Sequence, residues 1–201
     1  MQIGPRYKKA RYLGAPVFSK TQTQKFALRS EVKTKTKGRR GNKSEFGRQM
    51  LEKQKARYSY GVSAGQFSKY VKGALQTTGD NAKNLLSSLE SRLDNVVLRA
   101  GFTTSRSAAR QMVSHGHILV NGKKVTVPSY EVSVGDKVTI REGSKNKVIF
   151  TKLDESLKTV KVPAWISLNV ETKEIKVEGV PSVDTTELLF DVKSVLEFYT
   201  R

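Results

Sequence analysis

The sequence predicts an α+β fold, a helical N-terminal part with an inserted unit of helices and a small sheet. Three observations predict it. Apolar residues recur at helical spacing from Phe46 to Ala100, they alternate about an Asn-Gly turn from Ile118 onward, and the ending "ELLFDVKSVLEFYT" is again amphipathic. The expected division is a basic N-terminal arm over 1–45, a helical domain over 46–91, the helix-and-sheet module over 92–152, and a segment over 153–201 that completes the helical domain. A chain of 201 residues is one large domain or two small ones, enough for a modest core.

Charge sets the class of partner. Lys and Arg number 37 against 18 Asp and Glu, a formal net charge of +19 with a pI near 10.1. Such a balance repels itself unless a polyanion neutralises it, which makes nucleic acid the leading partner. Residues 1–60 hold 17 Lys/Arg against 3 Asp/Glu, 61–150 hold 13 against 6, and 151–201 hold 7 against 9, so a basic head meets a near-neutral tail. The absence of cysteine excludes a disulfide framework, a thiolate zinc site and a cysteine nucleophile. No apolar run approaches the ~18 residues needed to span a bilayer, so a soluble, cytoplasmic chain is expected.

Taken in order, the head from Lys20 to Gly47 has few apolar residues and no sustained period, and reads as loop or as a segment ordered by its partner. Residues 1–45 are expected to be partly disordered in the free protein, with weak amide protection. Arg39, Arg40 and Lys43 sit among Gly38, Gly41 and Gly47, where glycine lets the backbone approach a phosphate chain. The "GRRGNKS" string lacks the spacing of a P-loop, so nucleotide hydrolysis is rejected. From Ser44 the pattern turns helical through Phe46, Met50 and Leu51, with Lys53, Lys55 and Arg57 crowding its turns. Ser63 is a candidate cap for a helix carrying Phe67, Tyr70, Val71 and Leu75. Asp80 or Asn81 begins a long apolar stripe from Leu85 to Ala100, which fits one helix or two with a bend near Glu90 and Ser91.

The stretch "TTSRSAARQMVSHGHILVNGKKV" carries the chemistry. Thr104 or Ser105 caps a helix with Ala108, Ala109, Met112 and Val113 on one side, and Arg106 and Arg110, at i and i+4, share another face. Two guanidiniums about a turn apart can grip successive phosphates with forked hydrogen bonds. Asn121-Gly122 marks a hairpin that presents Lys123 and Lys124, and Gly135-Asp136 marks a turn in a second strand pair, "VSVGDKVTIRE". His115 and His117 lack ligand spacing with any acid, so neither metal nor catalysis is expected of them. Stacking on a base or donating to a phosphate suits His117, and packing suits His115. Tyr7, Tyr12, Phe18, Tyr58 and Tyr60 are candidates for base stacking, with Tyr58 and Tyr60 alternatively core.

The run "RLDNVVLRAGFTTSRSAARQMVSHGHILVNGKKV" resembles the S-four RNA-binding module, which tyrosyl-tRNA synthetases, pseudouridine synthases and a heat-shock RNA-binding protein also carry. The flanks "RYKKARYLGAP", "EFGRQMLEKQKARYSYGV", "QFSKYVKGA", "NLLSSLESRLDNVV" and "VLEFYTR" resemble the bacterial-type small-subunit ribosomal protein S-four family, in the family's order. The resemblance implies a non-enzymatic constituent of the small ribosomal subunit that binds the 5′ domain of 16S-type rRNA and nucleates assembly of the subunit body. It implies contact with ribosomal protein S-five and other small-subunit proteins, an influence on translational accuracy, and a place beside mRNA at its entry channel. By the same resemblance Arg92, Arg106, Arg110, His117, Lys123 and Lys124 form the module's RNA face, and Arg39, Arg40 and Lys43 face the mRNA channel; Arg6, Lys8, Lys9, Arg11, Lys53, Lys55 and Arg57 are further candidate RNA contacts in the basic head and first helices. The family's zinc-binding N-terminal form needs cysteines, so no metal or other cofactor is expected here.

Two other classes compete. An RNA-modifying enzyme would need a catalytic α/β segment, and the residues after Lys152 are too few to house one. A free RNA chaperone would not need the match in both flanks, and ribosome co-sedimentation separates it from a subunit constituent.

Overall fold

The computed structural model describes residues 3–29, 44–145, 147–151, 153, 157, 160–183 and 188–200. Helices α1 (Arg6–Leu13), α2 (Glu45–Ser59), α3 (Ala64–Gln76), α4 (Asn81–Glu90), α5 (Leu93–Arg99) and α6 (Arg106–Ser114) precede strands β1 (Ile118–Val120), β2 (Lys123–Lys124), β3 (Lys137–Ile140), β4 (Ile166–Asn169) and β5 (Glu174–Val177), and helix α7 (Val192–Thr200) closes the order. The chain forms two compact units, Met1–Leu85 with Asp184–Arg201, and Leu86–Val183. Among the described residues, no helix is long and apolar enough to cross a membrane.

The first unit is helical because its polar caps sit where its apolar stripes begin. The Ser44 hydroxyl accepts from the Gly47 N–H at 3.2 Å and the Ser63 hydroxyl from the Gln66 N–H at 3.3 Å, starting α2 and α3. Phe67, Val71 and Ala74 then fall on the buried side of α3. Asp191 starts α7 by accepting from the Lys193 and Ser194 N–H groups at 3.0 and 3.3 Å and from the Ser194 hydroxyl at 2.7 Å. That hydroxyl bond, with the backbone donors, holds the Asp191 carboxyl below its ordinary range. Helix α7 lies along α2: Gln49 donates to Glu197 at 3.1 Å, the Asp191 N–H donates to Glu52 at 2.9 Å, and the Phe46 and Phe198 rings are 5.4 Å apart.

Within the expected basic arm of 1–45, residues 3–29 carry packed structure. Ala10, Leu13, Val17 and Phe18 bury against Leu51 of α2, and residues 24–29 are helical. The charges of "RYKKARYL" hide the two apolar residues, Ala10 and Leu13, that one short face needs. Arg39, Arg40 and Lys43 lie outside the described residues.

The second unit packs α5 and α6 on a five-stranded antiparallel sheet of order β2-β1-β3-β5-β4. The apolar stripe of Leu85 to Ala100 breaks between α4 and α5, where Arg92 takes an extended conformation with ψ 135°. Leu93, Val96, Val97, Ala109, Met112 and Val113 from the helices meet Ile118, Val120, Val138, Ile140, Ile175 and Val177 from the strands. Two expectations are corrected. β3 pairs with β5, Val138 opposite Ile175, so the boundary expected at Lys152 falls near Val183 and residues 160–183 belong with the sheet. The same pairing replaces the expected second hairpin: residues 133–136 make only a turn, and the partner of β3 comes from far along the chain.

Ile175 is fully buried at the centre of this pairing. Ile175→Ala is expected to destabilise the protein by about 2–5 kcal/mol, the usual range for opening an aliphatic cavity. A shift of the urea midpoint measures it; a loss under about 0.5 kcal/mol would contradict this placement, because that is the scale of surface substitutions.

Candidate nucleic-acid interface

Helix α6 starts where the Ser105 hydroxyl accepts from the Ala108 N–H at 3.3 Å. Ala109, Met112 and Val113 face the core, which turns Arg106 and Arg110, both half-buried, to another side of the helix. Arg106 Nε donates to Asn95 Oδ1 at 3.0 Å, so this guanidinium is held rather than loose.

The hairpin presents Lys123 and Lys124, both exposed, by the means the Asn-Gly pair predicts. Asn121 and Gly122 have φ of 50° and 77°, the left-handed pair that matches the twist of two antiparallel strands. Asn121 also bonds outward: its Nδ2 donates to Asp136 at 2.7 Å, and its Oδ1 accepts from the Lys137 N–H at 2.9 Å. The turn is thus locked to the start of β3. Gly116, with φ 69°, ends the α6 segment under Lys124, and a Cβ there would collide with the lysine's Cε.

Two residues expected on the RNA face are corrected. Arg92 is 2% exposed, and its Nε and Nη2 donate to the Asp94 carboxylate at 3.0 and 2.6 Å. Facing a phosphate would strip Asp94 of a partner inside the protein. His117 is 8% exposed; its Nδ1 lies 2.9 Å from the Ser144 hydroxyl and its ring meets Phe150 edge-on. Burial first, then Lys147, His115 and Arg141, lowers its pKa. The imidazole is therefore neutral near pH 7 and packs the core, while Arg141 and Lys147 near it are exposed.

A polar network sits where the apolar stripe predicts only core. Glu90, 0% exposed, accepts from Arg99 Nη2 and Nε, both at 2.9 Å, and from Asn95 Nδ2. Asn95 in turn holds Arg106. The signal that could have found it was present: Glu90, Asn95 and Arg99 are polar residues within an apolar stripe, where a lone charge is too costly to bury.

In the first unit, Lys8 and Arg11 are exposed and Arg6 is half-buried, with Arg11 Nε donating to the Tyr7 carbonyl at 3.2 Å. Lys9 and Arg57 lie over the Tyr58 ring at 4.9 and 4.5 Å. Lys53 lies over Phe198 at 3.8 Å, and burial, then Arg57, lowers its pKa. Lys55 pairs with Glu52 at 2.6 Å. Tyr7 and Tyr12 are exposed as base stacking requires, whereas Phe18 and Tyr60 are buried and serve the core.

These features describe a basic surface carried by a helix and a clamped hairpin, and the comparisons with known proteins give its class. Residues 91–138 match the S4 domain, and residues 2–90 match the Ribosomal protein S4/S9 N-terminal domain. The Small ribosomal subunit protein uS4 of Cutibacterium acnes is 42% identical over 199 residues, 98% of each chain. Those of Halothermothrix orenii and Delftia acidovorans are each 40% identical, over 98% and 99% of this chain and 98% of their own. The chain belongs to the uS4 family.

The buried histidine makes stability depend on pH. The unfolded imidazole protonates near its ordinary 6.5 and the folded one only lower, so stability is full above about pH 6.5 and falls as pH drops through that value. Urea midpoints between about pH 5 and 7.5 should show this slope, and His117→Gln should flatten it; an unchanged slope would contradict the assignment. Arg92→Ala should destabilise by roughly 3–5 kcal/mol, as removal of one partner of a buried pair does. RNA affinity measured while that variant is folded should stay within about twofold of wild type, since the Arg92 guanidinium is turned to Asp94 inside the protein, while Arg99 and Arg106 are held by Glu90 and Asn95.

Proposed function

We propose that the chain is a structural, non-catalytic constituent of the small ribosomal subunit that binds rRNA and takes part in its assembly. The carrying observation is 42% identity to a small ribosomal subunit protein over 98% of both chains. The finer reading is that it binds the 5′ domain of 16S-type rRNA, nucleates the subunit body in the cytoplasm, meets the neighbouring S-five protein, contributes to translational accuracy and lies beside mRNA at the entry channel. Physical chemistry supports the RNA part. Folded RNA is recognised through phosphates, 2′-hydroxyls and shape, because its major groove is too narrow for side chains. Arg106 and Arg110 on one helix, Lys123 and Lys124 on one hairpin, and Lys8 and Arg11 on α1 are cations on ordered elements, suited to reading the shape of a phosphate backbone.

The test is binding to a transcript of the 5′ domain and to an unrelated structured RNA across a salt series, with Arg106→Ala/Arg110→Ala in parallel. The reading expects a preference for the 5′ domain that persists at high salt. The double variant should bind more weakly and lower the salt slope by about 0.7–0.9 for each phosphate it no longer neutralises. Equal, steeply salt-dependent binding to both RNAs, unchanged in the variant, would overturn it in favour of a free chaperone.

A further inference from the structure

We propose that Glu90 and Asn95 are positioning residues for RNA binding, holding the guanidiniums of Arg99 and Arg106 in the orientation from which they grip phosphate. The inference rests on the RNA-binding reading above and adds to it two residues that touch no RNA themselves.

The geometry is a relay with one direction. Glu90 closes α4 with both carboxylate oxygens engaged, one by Arg99 Nη2, the other by Arg99 Nε and Asn95 Nδ2. On its other side Asn95 accepts from Arg106 Nε at 3.0 Å. The amide admits only this orientation, because the reverse would set its NH2 against the N–H of Arg106 and its oxygen against the carboxylate of Glu90. The negative charge of Glu90 therefore fixes which face of Asn95 meets Arg106. One buried carboxylate orders two arginines, at the end of α5 and at the start of α6.

The cost of this arrangement points to what it does. A buried carboxylate is a poor way to gain stability, since well-packed apolar side chains serve as well or better. What an ion pair with hydrogen bonds supplies instead is orientation. Freezing a long, rotamer-rich side chain at an interface is unfavourable, and a guanidinium already fixed in the folded protein has met that requirement before RNA arrives. The placement allows it: the Arg99 side chain is 25% exposed while Glu90 is wholly enclosed, and Arg106 is half-buried on the helix whose opposite side is core. Arg99 is held through Nε and Nη2 and Arg106 through Nε, which fixes the plane of each guanidinium and with it the direction of its five N–H donors.

The experiment is a double-mutant cycle on the full chain, with Asn95→Ala, Arg106→Ala and the double variant titrated against the 5′-domain transcript across a salt series. Urea denaturation of each variant ensures that all are folded under the binding conditions. Asn95→Ala should weaken binding roughly tenfold, the scale of one charge-assisted hydrogen bond, and lower the salt slope by about 0.7–0.9. In the Arg106→Ala background the same change should matter less than about twofold, because its route of action is gone. Glu90→Gln should behave as Asn95→Ala does and also couple to Arg99→Ala. If the buried Glu90 variant does not fold, the uncharged change at Asn95 still decides. Wild-type affinity in Asn95→Ala, or losses that add independently with Arg106→Ala, would overturn the inference and leave the functional reading standing. A wild-type chain with no preference for the 5′ domain would overturn both.

Discussion

A charge is costly to enclose in a protein unless it is paired and hydrogen-bonded, and this constraint organises the segment from Glu90 to Arg106. Two pairs satisfy it side by side: Arg92 with Asp94, and Glu90 with Arg99. Between them the helix is interrupted, and the N–H groups of Leu93 and Asp94 donate to the carbonyls of Tyr130 and Pro128 at 2.8 and 3.1 Å. The first amides of a helix have no partner of their own, so a loop that accepts from them fixes where the helix starts. The Val132 N–H returns a bond to the Ser91 carbonyl at 2.8 Å, which ties the loop to the break from the other side. Helix α5 is thereby held at its start by backbone and at its end by Arg99. Since Asn95 of α5 holds Arg106 of α6, the basic helix inherits its position from the same junction.

The sheet extends this logic to the lysines. β1 is central enough to be buried at Ile118 and Val120, and β2 is a two-residue edge whose lysines point to solvent. Charged side chains on so short an edge also block further strand pairing. The Asn121 side chain carries the locking role because it does two things at once: it tolerates positive φ, and its amide reaches both Asp136 and the backbone of Lys137. Asp136 turns its other oxygen to the Ser133 N–H at 2.8 Å. The backbone that carries the two lysines is thus anchored through an uncharged residue beside them.

Local signals were legible in the sequence, and long-range pairings were not. Ser44, Ser63 and Ser105 cap helices, and Asn121-Gly122 makes the hairpin, because each depends on residues within a few positions. The division of the C-terminal segment was not legible, since Ile175 opposite Val138 and Glu197 against Gln49 are contacts between distant parts of the chain. At the site, spacing gave the shared face of Arg106 and Arg110, whereas the family resemblance put Arg92 and His117 on it. Whether an arginine or histidine faces outward depends on what surrounds it, and Asp94 and Ser144 claim these two from inside. The head shows the converse error: a high density of charge concealed Ala10, Leu13, Val17 and Phe18, enough apolar surface to anchor a short helix.

The count of 37 lysines and arginines overstates what this molecule offers a polyanion. Arg92 is wholly enclosed, Lys55 is bound to Glu52, and Lys137 is bound to Glu174 at 3.0 Å. Lys9, Lys53 and Arg57 lie over aromatic rings, where the attraction of the cation for the ring face competes with any phosphate. The cations over rings still raise the long-range field that draws RNA in, because a ring carries no charge, whereas an ion pair adds nothing net to that field. They do not each count as a contact, because counterions are released only where a cation replaces them at a phosphate. Rate of encounter and number of contacts therefore report different subsets of the same lysines and arginines, and in this chain it is internal pairing that separates the two.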